Sequence, residues 1–198
     1  MSNTADYCGI LLAAGRSRRF GTDKLMHPLT AGLPMALVSA VNLQHILPNT
    51  IAVVRPDQLS LIKQLAAQKI KTVTLAQTDG GMGLSIASGV AAASDACGWL
   101  IALADMPFIQ PATITKILAV LQRGSPIAAP VYQGKRGHPV GFAASFGRAL
   151  RALQCDTGAR DLLLQHMTEI ELIDCDDPGI LADIDMPADL LKNTFIHA

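Results

Sequence analysis

The chain has no excess of charge of either sign: sixteen lysines and arginines balance sixteen aspartates and glutamates over 198 residues. Without a global field to hold a polyanion, nucleic acid and anionic membrane surfaces are not expected partners, and any anion site must be local. Cysteine is sparse. Cys8, Cys97, Cys155 and Cys175 lie far apart, with no C-x-x-C and no Cys/His pair at a zinc spacing, which leaves neither a disulfide framework nor a zinc site to expect. Long apolar runs are missing too, since none approaches the roughly 18–20 residues of a membrane span, and "MSNTADYCG" carries no basic segment ahead of an apolar stretch. These absences predict a reduced, soluble, cytoplasmic protein. Aromatic residues make up only 4% of the chain, and Tyr7 and Trp99 read as packing residues rather than stacking platforms.

What is present is apolar sequence in short, punctuated stretches. Half of the residues are hydrophobic, enough for a real core, and the length fits a single domain over 1–198. "YCGILLAA" (7–14), "TIAVV" (50–54), "KTVTLA" (71–76), "GWLIALA" (98–104) and "PIAAPV" (126–131) read as strands. Between them, 34–47, the stretch "DQLSLIKQLAAQ", 84–94 and 111–122 carry helical spacing, with Pro111 suited to a first turn and a glycine-rich turn opening 84–94. Alternation of strand and helix predicts an α/β fold, a Rossmann-like three-layer sandwich around a mostly parallel sheet. After about residue 132 turns and short helices take over, so that 133–198 reads as a substrate-facing extension of the same domain.

The first strand runs into "LLAAGRSRRFGTDK" (11–24), which packs Arg16, Arg18, Arg19 and Lys24 into nine positions. A glycine just past a buried strand lets backbone amides approach a ligand closely, and the cations add charge there. The loop leaves the strand end where open α/β sheets bind ligands, which favours a polyphosphate over a merely solvated basic loop. The spacing fits neither G-x-x-x-x-G-K-[ST] nor G-x-G-x-x-G, and "DGGMGLSIASG" (79–89) fails the second pattern as well.

Two acidic stretches could complete such a site. In "LADMP" (103–107), Asp105 follows a buried strand and lies on the same sheet edge as Gly15 if the two strands are parallel. Beside a triphosphate its carboxylate needs a metal between them; alone, it can cap the following helix. In "DIDMPADL" (183–190), Asp183 and Asp185 share a face if extended, and either metal binding or helix initiation explains Asp185.

These stretches resemble the MobA-like nucleotidyltransferase family, whose opening pattern is roughly LxAGxSxRMGxxK, with Phe20 here in place of the methionine. "GMGLSIASGV", "LADMP", "RGHPVGF", "CDTGARDLL" and "DIDMPADL" follow in the family's order. The sequence departs from the pattern at "GLPMAL", at Cys155, and at "VVRPD" (53–57), which lacks the usual glycine after the second strand. Within the family it most resembles the molybdenum cofactor cytidylyltransferases, through Ala13-Ala14-Gly15 and Arg136-Gly137-His138-Pro139-Val140. The methyl of Ala14 narrows space that a purine would need.

The resemblance implies the nucleotide-diphospho-sugar transferase type of fold and transfer of CMP from CTP to the phosphate of molybdopterin, with or without molybdenum, releasing pyrophosphate. It implies that Leu12, Ala13, Ala14, Gly15, Arg16 and Ser17 cradle the nucleotide, that Arg19 and Lys24 hold the leaving phosphates, and that Asp105 and Asp185 hold Mg2+. Gly81, Gly83 and Ser85 are implied for base and ribose, or else form a helix-entry turn; His138, Asp156, Gly158 and Arg160 are implied for the acceptor, with a structural role open for each. A molybdenum hydroxylase or its chaperone is the implied recipient. Guanylyl transfer, another phosphate acceptor such as a sugar phosphate or isoprenoid precursor, and a non-catalytic cofactor carrier are the alternatives.

Overall fold

In the computed structural model, residues 4–15, 20, 23–29, 32–76, 81–154, 156–186 and 188–190 are described. The strands are β1 (Tyr7–Leu12), β2 (Thr50–Val54), β3 (Lys71–Thr74), β4 (Gly98–Leu103), β5 (Ile127–Tyr132), β6 (Lys135–Arg136), β7 (Val140–Ala143) and β8 (Ile170–Asp174). The helices are α1 (Met35–Ile46), α2 (Leu59–Ala67), α3 (Gly81–Ala92), α4 (Pro111–Gln122), α5 (Gly147–Arg151) and α6 (Arg160–Gln165). The strands form one sheet in the order β3-β2-β1-β4-β7-β5-β6, with β8 also paired to β5. The run from β3 to β4 is parallel, β8 is parallel to β5, and β7 is antiparallel to both β4 and β5.

Alternation along β1 sends side chains into both layers. Leu11 joins Ala52, Val54, Leu100 and the inner faces of α1, α2 and α4, while Ile10 and Leu12 join Val53, Ile101, Trp99 and Phe142 beneath α3. A strand covered on both faces has no solvated side to mark with polar residues, which is why β1, β2 and β4 read as near-continuous apolar runs. Each fully buried Leu or Ile contributes about 1.5–3 kcal/mol. The three-layer sandwich expected from the sequence is therefore present. No helix among the described residues is long and apolar enough to cross a membrane.

Several boundaries differ from expectation. β1 stops at Leu12 rather than Ala14, although the Ala13 amide still donates to the Val53 carbonyl at 2.9 Å, and β3 stops at Thr74. α3 starts at Gly81 and not at Leu84, so Gly81, Gly83 and Ser85 lie in the helix and not in a turn before it. Glycine lowers helix propensity and hides such a start in a sequence, whereas tight packing at the first turn requires it here.

The antiparallel β7 comes from the later part of the chain yet sits between β4 and β5 in the sheet. The segment after β8 is tied down by Asp177, 1% exposed, which accepts from the Gln110 amide at 3.0 Å, the Thr113 hydroxyl at 2.6 Å and the Gly179 amide at 3.0 Å. One buried carboxylate thus ties the start of α4 to the turn that leads toward Asp185.

Candidate active site

Strand order reverses direction beside β1: β2 and β3 lie to one side and β4 to the other. At such a switch point the loops leaving two adjacent parallel strands diverge and open a crevice. The Leu12↔Leu103 register and the Ala104 amide bonded to the Leu12 carbonyl at 3.1 Å bring the ends of β1 and β4 together, so Gly15 and Asp105 share that edge. A methyl built on Gly15 would meet nothing within 4 Å.

Lys24 opens the 3-10 turn Lys24–Met26, and its side chain is 10% exposed. The ammonium donates to Asp105 Oδ2 at 2.8 Å and to Asp185 Oδ1 at 3.0 Å. Burial alone would lower its pKa, but hydrogen bonds and charge from Asp105 and then Asp185 outweigh burial and hold it above the ordinary lysine value. The Asp185 segment is held in place by its backbone: the Ile184 amide bonds the Asp105 carbonyl at 3.0 Å, and the Asp185 and Met186 amides both donate to Asp189 Oδ2, at 3.1 and 2.8 Å. Asp189 therefore serves as the local capping acceptor. The Asp185 side chain is directed instead to Lys24.

His138, joined to Pro139 by a cis peptide, has its amide on the Ile180 carbonyl at 3.0 Å, and its buried Nδ1 has no partner among the described residues. Burial lowers its pKa below 6.5, with the charge of Asp105 as the largest opposing influence, so the ring is neutral near pH 7.

The chain matches the MobA-like NTP transferase domain over residues 9–170. It belongs to the MobA-like NTP transferase family. It is 30% identical over 190 residues to the purine catabolism protein PucB of Bacillus subtilis (strain 168), covering 90% of this chain and 91% of that one. Nicotine blue oxidoreductase of Paenarthrobacter nicotinovorans is 27% identical over 186 residues, with 89% and 91% covered. Among solved structures, Rv0371c of Mycobacterium tuberculosis H37Rv superposes with a TM-score of 0.81 at 24% identity over 97% of this chain and 98% of that one.

In this MobA-like NTP transferase, Lys24, Asp105 and Asp185 converge on one point although 81 and 161 positions separate the lysine from the two acids. Leu12, Ala13, Ala14 and Gly15 line up at the top of β1, passing from buried to exposed. Arg16, Ser17, Arg18 and Arg19 lie outside the described residues. Gly83 and Ser85 are buried in α3, where the Ser85 hydroxyl donates to the Gly81 carbonyl at 3.3 Å. Gly81, at φ +66°, packs directly against Asp156, whose Cα lies 2.7 Å from where a Cβ would stand, and Gly158 packs on Met82. The residues assigned to nucleotide and to acceptor thus meet at the first turn of α3. Arg160 begins α6 and is exposed.

Two further residues were not singled out from the sequence. Arg55 and Gln58, in the loop between β2 and α2, hold the carbonyls of Ala13, Ala14 and Gly15. The same reasoning that marks Asp105, a polar residue directly after a buried parallel strand, applies to Arg55. Among the described residues no group of three or more histidine, cysteine or acidic side chains could hold a metal, and Asp105 and Asp185 meet as a pair on the Lys24 ammonium.

Proposed function

We propose that the protein transfers CMP from CTP to the terminal phosphate of molybdopterin or its molybdenum-loaded form, releasing pyrophosphate. The observation that carries this reading is the Lys24 ammonium held between Asp105 and Asp185 at the switch-point edge of the sheet. Two carboxylates already compensated by one positive charge suit a divalent cation, which takes one or two carboxylates and fills its remaining positions with phosphate oxygens and water. Asp105 and Asp185 would hold Mg2+, and when bound that ion supplies neutralisation of charge on the triphosphate. A related fold has been solved as a manganese complex, Rv0371c at 22% identity and a TM-score of 0.77, which supports a divalent ion in this architecture.

An attacking phosphate is already anionic, so the chain need not provide a general base, and catalysis rests on alignment and electrostatic complementarity. Neutral His138 agrees with that: its role on the acceptor side is to hydrogen-bond, not to carry a proton. Lys24, released from one carboxylate, would pair with the leaving phosphates together with Arg19. The first turn of α3, with Asp156 against Gly81, would close the other wall of the crevice.

The test is incubation of the protein with Mg2+, molybdopterin cofactor and each ribonucleoside triphosphate in turn, reading pyrophosphate release and product mass. Release with CTP that depends on the pterin supports the proposal. Release with GTP alone, or only with a sugar phosphate as acceptor, reassigns the substrates, and no release with any triphosphate despite binding points to a carrier.

A further inference from the structure

Three consecutive carbonyls at the top of β1 are held by two side chains from one neighbouring loop. Gln58 Nε2 donates to Ala13 O at 3.0 Å, and Arg55 Nη1 donates to Ala14 O at 3.3 Å and to Gly15 O at 2.6 Å. The two side chains are themselves fixed: Arg55 Nε bonds Asp57 Oδ1 at 3.0 Å, and the Arg55 amide donates to Gln58 Oε1 at 2.7 Å. Arg55 is 13% exposed in its side chain and Gln58 is 4% exposed overall, so neither is a solvent-waving surface group.

In a trans peptide the C=O and the following N–H point in opposite directions. Fixing the Ala13 and Ala14 carbonyls toward Arg55 and Gln58 therefore aims the Ala14 and Gly15 amides the other way. Among the described residues neither amide has an acceptor, and a methyl on Gly15 would meet nothing within 4 Å. Two successive backbone donors turned toward one open crevice offer a fixed hydrogen-bonding edge, the kind of polar group that orients a ligand in a pocket.

We infer that Arg55 and Gln58 are positioning residues that lock the 13–15 backbone so that the Ala14 and Gly15 amides read hydrogen-bond acceptors on the edge of the nucleotide base. This rests on the nucleotidyltransferase reading of the same crevice. The charge distribution assigns the amides to the base and not to the phosphates. The cations of this stretch all follow Gly15, and Lys24 marks the acidic center, whereas Ala13 and Ala14 present a neutral, partly buried backbone suited to a flat, uncharged ring. Arg55 stands in "VVRPD", where this sequence departs from the usual pattern, so the device is tied to this chain's own loop.

The experiment compares equilibrium binding of CTP, GTP, ATP, UTP and inorganic tripolyphosphate to wild type, Arg55→Ala, Arg55→Lys and Gln58→Glu. The Glu keeps an acceptor for the Arg55 amide and loses the donor to Ala13. Expected are a roughly ten-fold loss of affinity for the preferred triphosphate in Arg55→Ala and Gln58→Glu, partial rescue in Arg55→Lys, a narrower spread among the four nucleotides, and tripolyphosphate binding that stays at the wild-type level. Persistence of that binding also shows that the variants are folded. Equal weakening of nucleotide and tripolyphosphate, or an unchanged spread among the four nucleotides, overturns the inference. Wild-type protein that binds no triphosphate overturns the nucleotidyltransferase reading first, and is seen before any variant is compared.

Discussion

The Lys24 ammonium stands 2.8 Å from the Asp105 carboxylate, on the side chain's buried approach to the crevice between β1 and β4. If Asp105 is the group that meets the metal and phosphates, Asp105→Asn removes a charge from the acidic center while leaving its shape. Turnover is expected to fall roughly 10²–10³-fold, the scale of one preorganised electrostatic contact. Steady-state pyrophosphate release measures it, and near-normal turnover with intact metal dependence would place Asp105 outside the site.

A divalent cation held by Asp105 and Asp185, as proposed, would compete with Lys24 for the same two carboxylates. Lys24→Met should let Mn2+ bind the nucleotide-free protein about ten-fold more tightly, the weight of a charged hydrogen bond no longer in its way. Calorimetric titration with Mn2+ alone reads this directly. Affinity equal to or below that of wild type would mean that the ammonium does not occupy the cation's place.

Gly81→Ala should destabilise the fold by about 1–3 kcal/mol. Its φ of +66° disfavours any side chain, and the added methyl would run into Asp156, including backbone that cannot swing aside. Urea unfolding gives the value, and a change within error would show that the 156–158 turn yields freely.

His138 links stability to pH. Its folded pKa lies below its unfolded value of 6.5, because burial disfavours the imidazolium. The unfolded chain therefore takes up the proton first, and stability held above 6.5 is lost as pH falls through that value toward the folded pKa. Wild type should lose stability as pH falls through 6.5 more steeply than His138→Asn, measured as melting temperature against pH. Parallel curves would disprove the linkage.

Much of the frame was legible because burial on both faces writes itself into sequence. β2 and α4 coincide with the runs 50–54 and 111–122, the latter begun by Pro111. Asp105 and Gly15 could be placed on one edge by strand direction alone. Asp185 reads as either cap or ligand in the sequence; in the structure its side chain meets Lys24, while Asp189, four residues on, accepts the Asp185 and Met186 amides. The Arg55–Gly15 contact spans 40 positions and follows no periodicity, so its partner emerges only when β1 and β2 are side by side. α3's early start was hidden by glycines that propensity counts against a helix and that packing against Asp156 demands.

The placement of β7 between β4 and β5 bears on synthesis as well as on architecture. Once Leu103 has left the ribosome, β3, β2, β1 and β4 can already pair, yet β4 then presents an unpaired and largely apolar margin, which stays open until Val140–Ala143 arrives. An exposed strand margin of that kind recruits other chains. The nascent protein is therefore most prone to aggregation during the interval between those two points, and a ribosome stalled there would hold a sheet with a sticky side.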